Sequence, residues 1–188
     1  MNTLGAVLAG GRSSRMGSDK AEVVIEGLTM LQRVSSTLSE FLPHVVVLGA
    51  ERAGFECWPD VIPARGPLAG IATALSAMDE DRVLIVAVDQ PFVRAQTLER
   101  LSQIESSIPV VPVDDEGVRQ VTCALYPKAI AEAALEEAGA DGSIQSLLDR
   151  VSFEAVTPEL WAPWGEDGRS WFSVDTPQAL EVGIKRFL

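Results

Sequence analysis

Residues 83–88 read VLIVAV, and Asp89 follows them directly. A run without any polar residue is typical of a strand that is buried on both faces of a parallel sheet covered by helices. Such a strand is central, so Asp89 should stand at its carboxyl end, where open α/β sheets bind their ligands. A carboxylate at that place is costly to desolvate unless it meets a cation. This stretch therefore predicts an α/β fold class and a candidate site together.

Similar apolar runs recur along the chain and alternate with amphipathic stretches of helical length. The other predicted strands are Leu4–Ala9, His44–Gly49, Ile108–Val113, Val118–Tyr126, Phe153–Val156 and Trp171–Val174. The predicted helices are about Thr29–Phe41, Leu68–Met78, Ala95–Ile104, Pro127–Ala138, Ser143–Val151 and Pro177–Phe187. The alternation predicts an α/β/α sandwich of three layers around a mostly parallel central sheet. At 188 residues, we expect residues 1–188 to form one domain.

The charge balance excludes several classes of partner. The chain has 15 Lys and Arg against 27 Asp and Glu, a net charge of −12, which disfavours nucleic acid and anionic membrane surfaces.

The chain's two cysteines are too few for a disulfide framework or a structural zinc site. The opening apolar run Leu4–Ala9 is too short for a signal peptide or a membrane span, so we expect a cytoplasmic protein.

The positive charge of the chain is concentrated in its first loop. Residues 8–20 read LAGGRSSRMGSDK and follow the first predicted strand. The glycines let backbone N–H groups approach a phosphate, and Arg15 and Lys20 supply the charge that a triphosphate requires. The spacing fits neither a Walker A loop, with Lys directly after the second glycine, nor a G-x-G-x-x-G dinucleotide loop. The alternative is a flexible surface turn with three basic residues.

This loop resembles the nucleotide-binding motif of the MobA family, the molybdenum cofactor guanylyltransferases. The motif reads L-A-G-G-x-S-x-R-M-G-x-D-K, and each of its fixed positions is occupied from Leu8 to Lys20. Residues 66–70 (GPLAG) resemble the family's second block, and residues 88–92 (VDQPF) resemble its C-D-x-P-(F/Y) metal segment. Residues 122–126 and 172–177 are similar to later blocks. The resemblance implies a Rossmann-like fold of the nucleotide-diphospho-sugar transferase type.

The same resemblance implies a reaction and a set of site residues. The terminal phosphate of molybdopterin, or of the molybdenum cofactor, would attack the α-phosphate of GTP and release pyrophosphate, with Mg²⁺ as cofactor. The catalytic residues would be Arg15, Lys20 and Asp89. The nucleotide-binding residues would be Leu8, Ala9, Gly10, Gly11, Lys20, Asp60 and Asp89.

Two of these residues bear on the choice of nucleotide. Relatives that act with CTP usually read L-A-A-G, so Gly10 favours GTP, and a residue without a Cβ leaves room beside the base. Asp60 matches the family's acidic residue that contacts the nucleotide. A carboxylate can accept two hydrogen bonds from the N1–H and N2–H₂ edge of guanine. The alternative for Asp60 is a surface acid in a loop.

Asp89 is the predicted Mg²⁺ ligand, because Mg²⁺ prefers oxygen donors and typically takes one or two protein carboxylates. The alternative for Asp89 is a cap on the following helix, although Gln90 and Pro91 intervene. Asp175 lies where superfamily members place an Asn or Asp that faces metal or substrate. It also directly precedes Thr176 and Pro177, so it could instead cap the last helix.

No general base is needed if the acceptor is a phosphate monoester, because its second pKa is about 6 and it is already an anion at neutral pH. This agrees with a single histidine, His44, which leads a predicted strand and is interpreted as structural. Three positions depart from the family. Leu48 and Asp175 stand where many members have Asn, and Gln145 replaces an arginine expected near the pterin phosphate. The acceptor could therefore be another small phosphorylated compound.

Two other functions remain open from the sequence. One is a cytidylyl- or sugar-phosphate nucleotidyltransferase on the same fold, and the other is a catalytically silent nucleotide-binding partner. Cofactor-delivery or acceptor proteins are further candidate partners. The segment 157–170 reads as a loop, and the tryptophans around it could stack on a pterin or pack on the core.

Overall fold

The computed structural model describes residues 1–10, 19–62 and 66–188. Its strands are β1 (Thr3–Leu8), β2 (Val24–Ile25), β3 (Leu28–Thr29), β4 (Val45–Leu48), β5 (Cys57–Trp58), β6 (Arg82–Ala87), β7 (Val110–Pro112), β8 (Cys123–Pro127) and β9 (Glu154–Val156). Its α-helices are α1 (Met30–Ser39), α2 (Pro67–Ala77), α3 (Ala95–Gln103), α4 (Ala131–Gly139), α5 (Ile144–Arg150), α6 (Pro158–Trp161) and α7 (Pro177–Phe187). Short 3₁₀ turns connect several of these elements.

The central sheet has the strand order β5-β4-β1-β6-β8-β7-β9, while β2 and β3 form a separate hairpin. All neighbours are parallel except β8, which runs antiparallel to both β6 and β7. Leu8 pairs with Leu48 on one side and with Ala87 on the other, so β4, β1 and β6 end level with one another. The predicted mostly parallel sheet is confirmed, and the carboxyl ends of its three central strands meet at one edge.

Helices cover both faces of this sheet, because successive side chains of the central strands point to opposite sides. Val7 on β1 and Leu84 and Val86 on β6 pack in a core with α1, α3 and α7. Leu4 on β1 and Val83 on β6 pack in a second core with α2, α4 and α5. Every residue of β6 is buried, as the apolar run predicted. The three-layer α/β/α architecture is therefore confirmed.

Arg82 is the one charged residue inside β6, and it lies at the edge opposite to the candidate site. It is only 4% exposed, and its guanidinium donates to Thr3 Oγ1 at 3.0 Å, Ile104 O at 2.7 Å and Ser102 O at 2.5 Å. The last two acceptors are carbonyls at the end of α3, which no helical N–H can reach. Arg82 therefore anchors the carboxyl end of α3 to the sheet.

The last helix begins where its sequence predicts, at Pro177. Thr176 is its N-cap, and Thr176 Oγ1 accepts a hydrogen bond from Ala179 N at 3.1 Å. Asp175 therefore does not hold the capping position, which was the alternative to its role in a site. In the described part of the chain, no helix has the length and apolar character to cross a membrane.

One predicted strand is wrong. Residues 171–174 do not pair with the sheet, and a 3₁₀ turn at Arg169–Trp171 leads into an extended segment. The backbone there makes a single cross-link to the sheet region, from Val174 N to Asp89 O at 2.7 Å. The predicted helix at 127–138 also begins with a 3₁₀ turn, Lys128–Ile130, because Pro127 still belongs to β8. The segment read as a loop at 157–170 contains the short helix α6.

Candidate active site

Three charged side chains meet at the carboxyl edge of the central strands. Lys20 Nζ lies 3.2 Å from Asp89 Oδ2 and also donates a hydrogen bond to Asp175 Oδ1. Lys20 opens a 3₁₀ turn whose N-cap is Asp19, with Asp19 Oδ1 accepting from Ala21 N at 3.0 Å. The structure therefore brings together three of the predicted residues from positions far apart in the chain.

Asp89 is held by the turn that follows β6. The buried Gln90 side chain accepts a hydrogen bond from Ala87 N at 3.2 Å, and Gln90 N donates to Ala87 O at 3.1 Å. The carbonyl of Asp89 accepts from Val174 N at 2.7 Å, which places Asp175 beside Asp89. Asp89 does not cap α3, because that helix begins at Ala95, six positions further along. Sequence reasoning missed Gln90, whose only signal was a polar residue between a buried strand and a proline.

The electrostatics of this cluster favour a cation. Burial lowers the pKa of the Lys20 ammonium, but the hydrogen bonds with Asp175 and Asp89 outweigh burial and hold that pKa above its ordinary value. The ammonium thus occupies a position at which two carboxylates converge. Two carboxylate donors with access to water and phosphate oxygens fit Mg²⁺, which needs no more protein ligands than that. Within the described residues, no group of three or more His, Cys, Asp or Glu side chains could hold a metal.

Asp60 lies next to Gly10 at the ends of β4 and β1. A Cβ built on Gly10 would stand 3.9 Å from Asp60 Oδ2 and 4.0 Å from Leu48 O, which are ordinary contacts. A Cβ built on Gly70 of α2 would stand 2.7 Å from a methyl of Leu8, so a glycine there lets α2 approach the strand. The same Cβ would lie 3.6 Å from Asp60 Oδ1. The carboxylate of Asp60 is therefore enclosed between two glycines.

Asp60 forms no hydrogen bond or ion pair within the described part of the chain. Burial raises the pKa of its carboxyl group above the ordinary value of 3.8. A half-buried carboxylate without a donor among the described residues is costly, and a ligand that brings N–H donors would relieve that cost. The surroundings of Asp60 thus favour a ligand that donates hydrogen bonds over a simple surface role.

The backbone at the end of β4 is packed closely against the start of the first loop. Gly49 has φ +121°, and a Cβ on it would stand 3.2 Å from Gly10 N, so any other residue there would be strained and tightly packed against the first loop. Leu48 O accepts a hydrogen bond from Ala9 N at 3.2 Å. Leu48, which stands where many family members have Asn, therefore presents its main chain to this region while its side chain is buried.

A pocket of about 270 Å³ extends from Gly10 to Lys20 and Asp89. Its walls include five of the predicted residues, namely Leu8, Ala9, Gly10, Lys20 and Asp89. They also include Trp171, for which the sequence left stacking on a pterin open, and three residues that were given no role in the site, namely Gln120, Thr122 and Ser173. Asp60 adjoins Gly10 just outside these walls, and the predicted residues Gly11 and Arg15 lie outside the described residues. The signal that could have found Gln120 and Thr122 is their position directly before an apolar strand.

The tryptophans of the C-terminal segment mainly pack on the core. Trp161 and Trp171 meet edge to face, with ring centroids 5.8 Å apart, and Trp161 Nε1 donates to Val113 O at 2.8 Å. Trp171 is 8% exposed and reaches the pocket wall, while its Nε1 finds no hydrogen-bond partner in the described chain. Packing therefore explains Trp161, whereas Trp171 connects the core to the pocket.

Glu166 fixes the segment that carries Trp171. Its carboxylate is 5% exposed and accepts hydrogen bonds from Thr97 Oγ1 at 2.6 Å, Ser170 Oγ at 2.5 Å and Gly168 N at 2.8 Å. A buried carboxylate with several donors is well satisfied and orders the chain around it. Sequence reasoning missed Glu166, because it lies among other acids in a stretch without periodicity.

Comparisons with known proteins agree with this geometry. Residues 5–156 match the model of the MobA-like NTP transferase domain. A probable molybdenum cofactor guanylyltransferase of Natronomonas pharaonis is 32% identical, over 97% of this chain and 96% of that protein. A molybdenum cofactor guanylyltransferase of Xanthomonas euvesicatoria pv. vesicatoria is 39% identical, over 84% of this chain and 92% of that protein. The crystal structure of molybdopterin-guanine dinucleotide biosynthesis protein A from Archaeoglobus fulgidus has the same fold, with a TM-score of 0.85, 24% identity and 97% coverage of both chains.

Proposed function

Since the chain belongs to the MobA-like NTP transferase family and is a nucleotidyltransferase, we propose that it transfers GMP from GTP to the terminal phosphate of molybdopterin or the molybdenum cofactor. The products would be the guanine dinucleotide form of the cofactor and pyrophosphate. The observation that carries the proposal is the contact of Lys20 with Asp89 and Asp175, because Lys20 and Asp89 line a pocket that extends to Gly10.

The proposed place of the guanine base is beside Gly10 and Asp60. A Cβ on Gly10 would stand at ordinary contact distance from Asp60 Oδ2 and Leu48 O, so these two acceptors line the space beside Gly10. Asp60 has no described hydrogen-bond partner and can accept from the N1–H and N2–H₂ groups of guanine, whereas cytosine offers no such pair of neighbouring donors. This arrangement supports GTP over CTP.

The phosphates of GTP would lie at the Lys20 cluster. The ammonium of Lys20 would leave its carboxylate partners for phosphate oxygens, and Arg15 of the first loop would add a second positive charge. Asp89 and Asp175 would hold Mg²⁺, which when bound neutralises charge that develops on the phosphates. Leu8, Ala9, Gly10 and Gly11 would offer backbone groups to the nucleotide.

The acceptor brings its own nucleophile, because a phosphate monoester is an anion at neutral pH. No general base is required, so the chain's task is to align the acceptor oxygen with the α-phosphorus. The position of the single histidine, His44, agrees with a reaction that needs no general base. His44 precedes β4 at the opposite edge of the sheet, and its ring Nδ1 lies 2.7 Å from Glu80 Oε1.

The test is to offer GTP, CTP and ATP separately with molybdenum cofactor and Mg²⁺ and to follow pyrophosphate release. We expect turnover with GTP and little with the other two nucleotides. Turnover with CTP but not GTP would remove the guanine assignment, and turnover with none of them would favour a nucleotide-binding protein without catalysis.

A further inference from the structure

The residues in and beside the pocket follow the order of the strands in the sheet, β4-β1-β6-β8. Gly10 and Asp60 lie on the β4 and β1 side, where we place the nucleotide, and Asp89 follows β6 in the middle. Gln120 and Thr122 lie on the far side, directly before β8. If a nucleotide occupies the first side and its phosphates the middle, the acceptor must enter from the β8 side.

Gln120 is held firmly at this side of the pocket. Its backbone N–H donates to Pro112 O at 2.8 Å, and its carbonyl accepts from Cys123 N at 3.0 Å. Its side-chain Nε2 lies 2.8 Å from Asp114 Oδ2 and 3.4 Å from Val118 O. The backbone of Gln120 is thus fixed on both sides, and a side chain with two hydrogen bonds has less rotamer freedom left to lose when a ligand binds.

These contacts decide which way the amide of Gln120 faces. A carboxylate and a carbonyl can only accept hydrogen bonds, so the group that faces Asp114 and Val118 must be the NH₂ group. Asp114 is itself fixed, because its Oδ1 accepts from the backbone N–H groups of Glu116 and Val118, both at 2.9 Å. The atom of Gln120 that remains for a ligand is Oε1, which is purely an acceptor.

On the basis of the proposed function, we propose that Gln120 is a specificity-determining residue for the acceptor molecule. Its Oε1 accepts a hydrogen bond from an N–H group of the acceptor, at the end remote from the attacking phosphate. A pterin has such groups on its ring and its exocyclic amine. Thr122 and Ser173 add hydroxyl groups to the same wall, and Lys20 is the one cation among the described residues that line the pocket. This wall therefore suits an uncharged end that donates hydrogen bonds.

The main test is Gln120→Leu, which removes the side-chain amide, both the Oε1 acceptor and the NH₂ group that contacts Asp114. We expect KM for molybdenum cofactor to rise by about tenfold, because an N–H donor of the acceptor is left without a partner. KM for GTP should stay within about twofold. Gln120→Glu is the second variant. Asp114 would repel the new carboxylate and turn it away from the orientation that Gln120 has, so we expect a similar rise in KM for the acceptor.

Gln103→Leu is the matched control, since Gln103 is exposed at the end of α3 and does not line the pocket. It should leave both KM values unchanged. Melting temperatures of the three variants show whether each remains folded. Because residues 114–120 lie mostly at the surface, the Leu and Glu variants should melt close to wild type.

A binding measurement separates this inference from the proposed function. Molybdopterin, freshly released from a purified molybdoenzyme without oxygen, is equilibrated across a dialysis membrane with wild type and with each variant. Weaker binding to Gln120→Leu than to wild type supports the inference even if no GMP is transferred. Equal binding by the two proteins overturns it while turnover by wild type still supports the proposed function. An absence of binding by wild type overturns both.

Discussion

The substitution Asp60→Asn should weaken nucleotide recognition without lowering the stability of the fold. The substitution keeps the size of the side chain but replaces one carboxylate oxygen with an NH₂ group. In the proposed complex that NH₂ group would face an N–H donor of guanine, so one hydrogen bond is lost and two donors oppose each other.

The expected loss of GTP affinity follows from these contacts. Hydrogen bonds to a charged group contribute about 1.5–3 kcal/mol each, and a loss near the upper end, about 3 kcal/mol, weakens binding roughly a hundredfold. CTP, which lacks the paired donors, should lose far less. The ratio of GTP to CTP affinity should therefore fall by one to two orders of magnitude.

Stability should change in the opposite direction. Burial raises the pKa of Asp60, so the folded chain binds the proton more tightly than the unfolded chain, whose carboxyl keeps a value near 3.8. As the pH rises from about 3.8 through the raised pKa of the folded state, the free energy of unfolding falls. Above that pKa, Asp60 is ionised in both states and opposes folding by the full cost of its burial. At pH 7 the uncharged Asn should melt at the wild-type temperature or above it.

The assay is isothermal titration of GTP and CTP into each protein, with thermal unfolding at pH 7 measured on the same samples. Asp79→Asn provides the control, because Asp79 is exposed next to the end of α2 and the change in net charge is the same. Unchanged GTP affinity in Asp60→Asn would refute the role of Asp60 in recognition. A much lower melting temperature would refute the assignment of its raised pKa to unrelieved burial.

The pH dependence of GTP binding provides the same test without mutation. In the proposed complex guanine binds the ionised form of Asp60, so GTP affinity should rise as the pH increases through the raised pKa and level off above it. In Asp60→Asn this dependence should disappear.

Three further changes follow from the contacts already described. Lys20→Ala should lower kcat by about 10²–10³-fold while the chain remains folded, because a cation on the transferred phosphate is lost; rates of pyrophosphate release at saturating GTP check this. Asp175→Ala should melt near the wild-type temperature, since Thr176 caps α7, but it should need a higher Mg²⁺ concentration for half-maximal rate. The pKa of His44 is raised, and the largest cause is its hydrogen bond with Glu80. Charged His44 therefore stabilises the fold below about pH 6.5, the ordinary pKa of histidine. This contribution is lost as the pH rises through the raised pKa. Denaturant unfolding should therefore give His44→Gln a free energy of unfolding up to about 1 kcal/mol below that of wild type at pH 5.5, and close to that of wild type at pH 8.5 or higher. An equal difference at both pH values would contradict this account.

The layer architecture could be predicted because its signals are local. The run at 83–88 has no polar residue, and its complete burial in β6 follows from that alone. Thr176 with Pro177 is a helix start with its own hydrogen-bond chemistry, so α7 begins where the sequence predicts. The placement of Asp89 followed from the rule that ligands bind at the carboxyl ends of parallel strands.

The remaining features depend on long-range contacts that no local pattern contains. Residues 171–174 have the composition of a strand, yet only Val174 reaches the sheet region, through the Asp89 carbonyl. Asp175 could be read as a cap or as a site residue, and the distinction needs both the cap that Thr176 provides and the contact of Asp175 with Lys20. The orientation of Gln120 depends on Asp114, which an isolated turn sequence does not reveal.

The hydrogen bond between Val174 N and Asp89 O also joins parts of the site that are translated at different times. Lys20 and Asp89 leave the ribosome early, whereas Asp175 follows only near the end of the 188 residues, beyond the part of the chain that matches the family model. A nascent chain that contains the central strands but not yet this last segment therefore holds only one of the two carboxylates. A translation product that stopped before Asp175 would contain every strand that the structure describes and would still lack the second carboxylate.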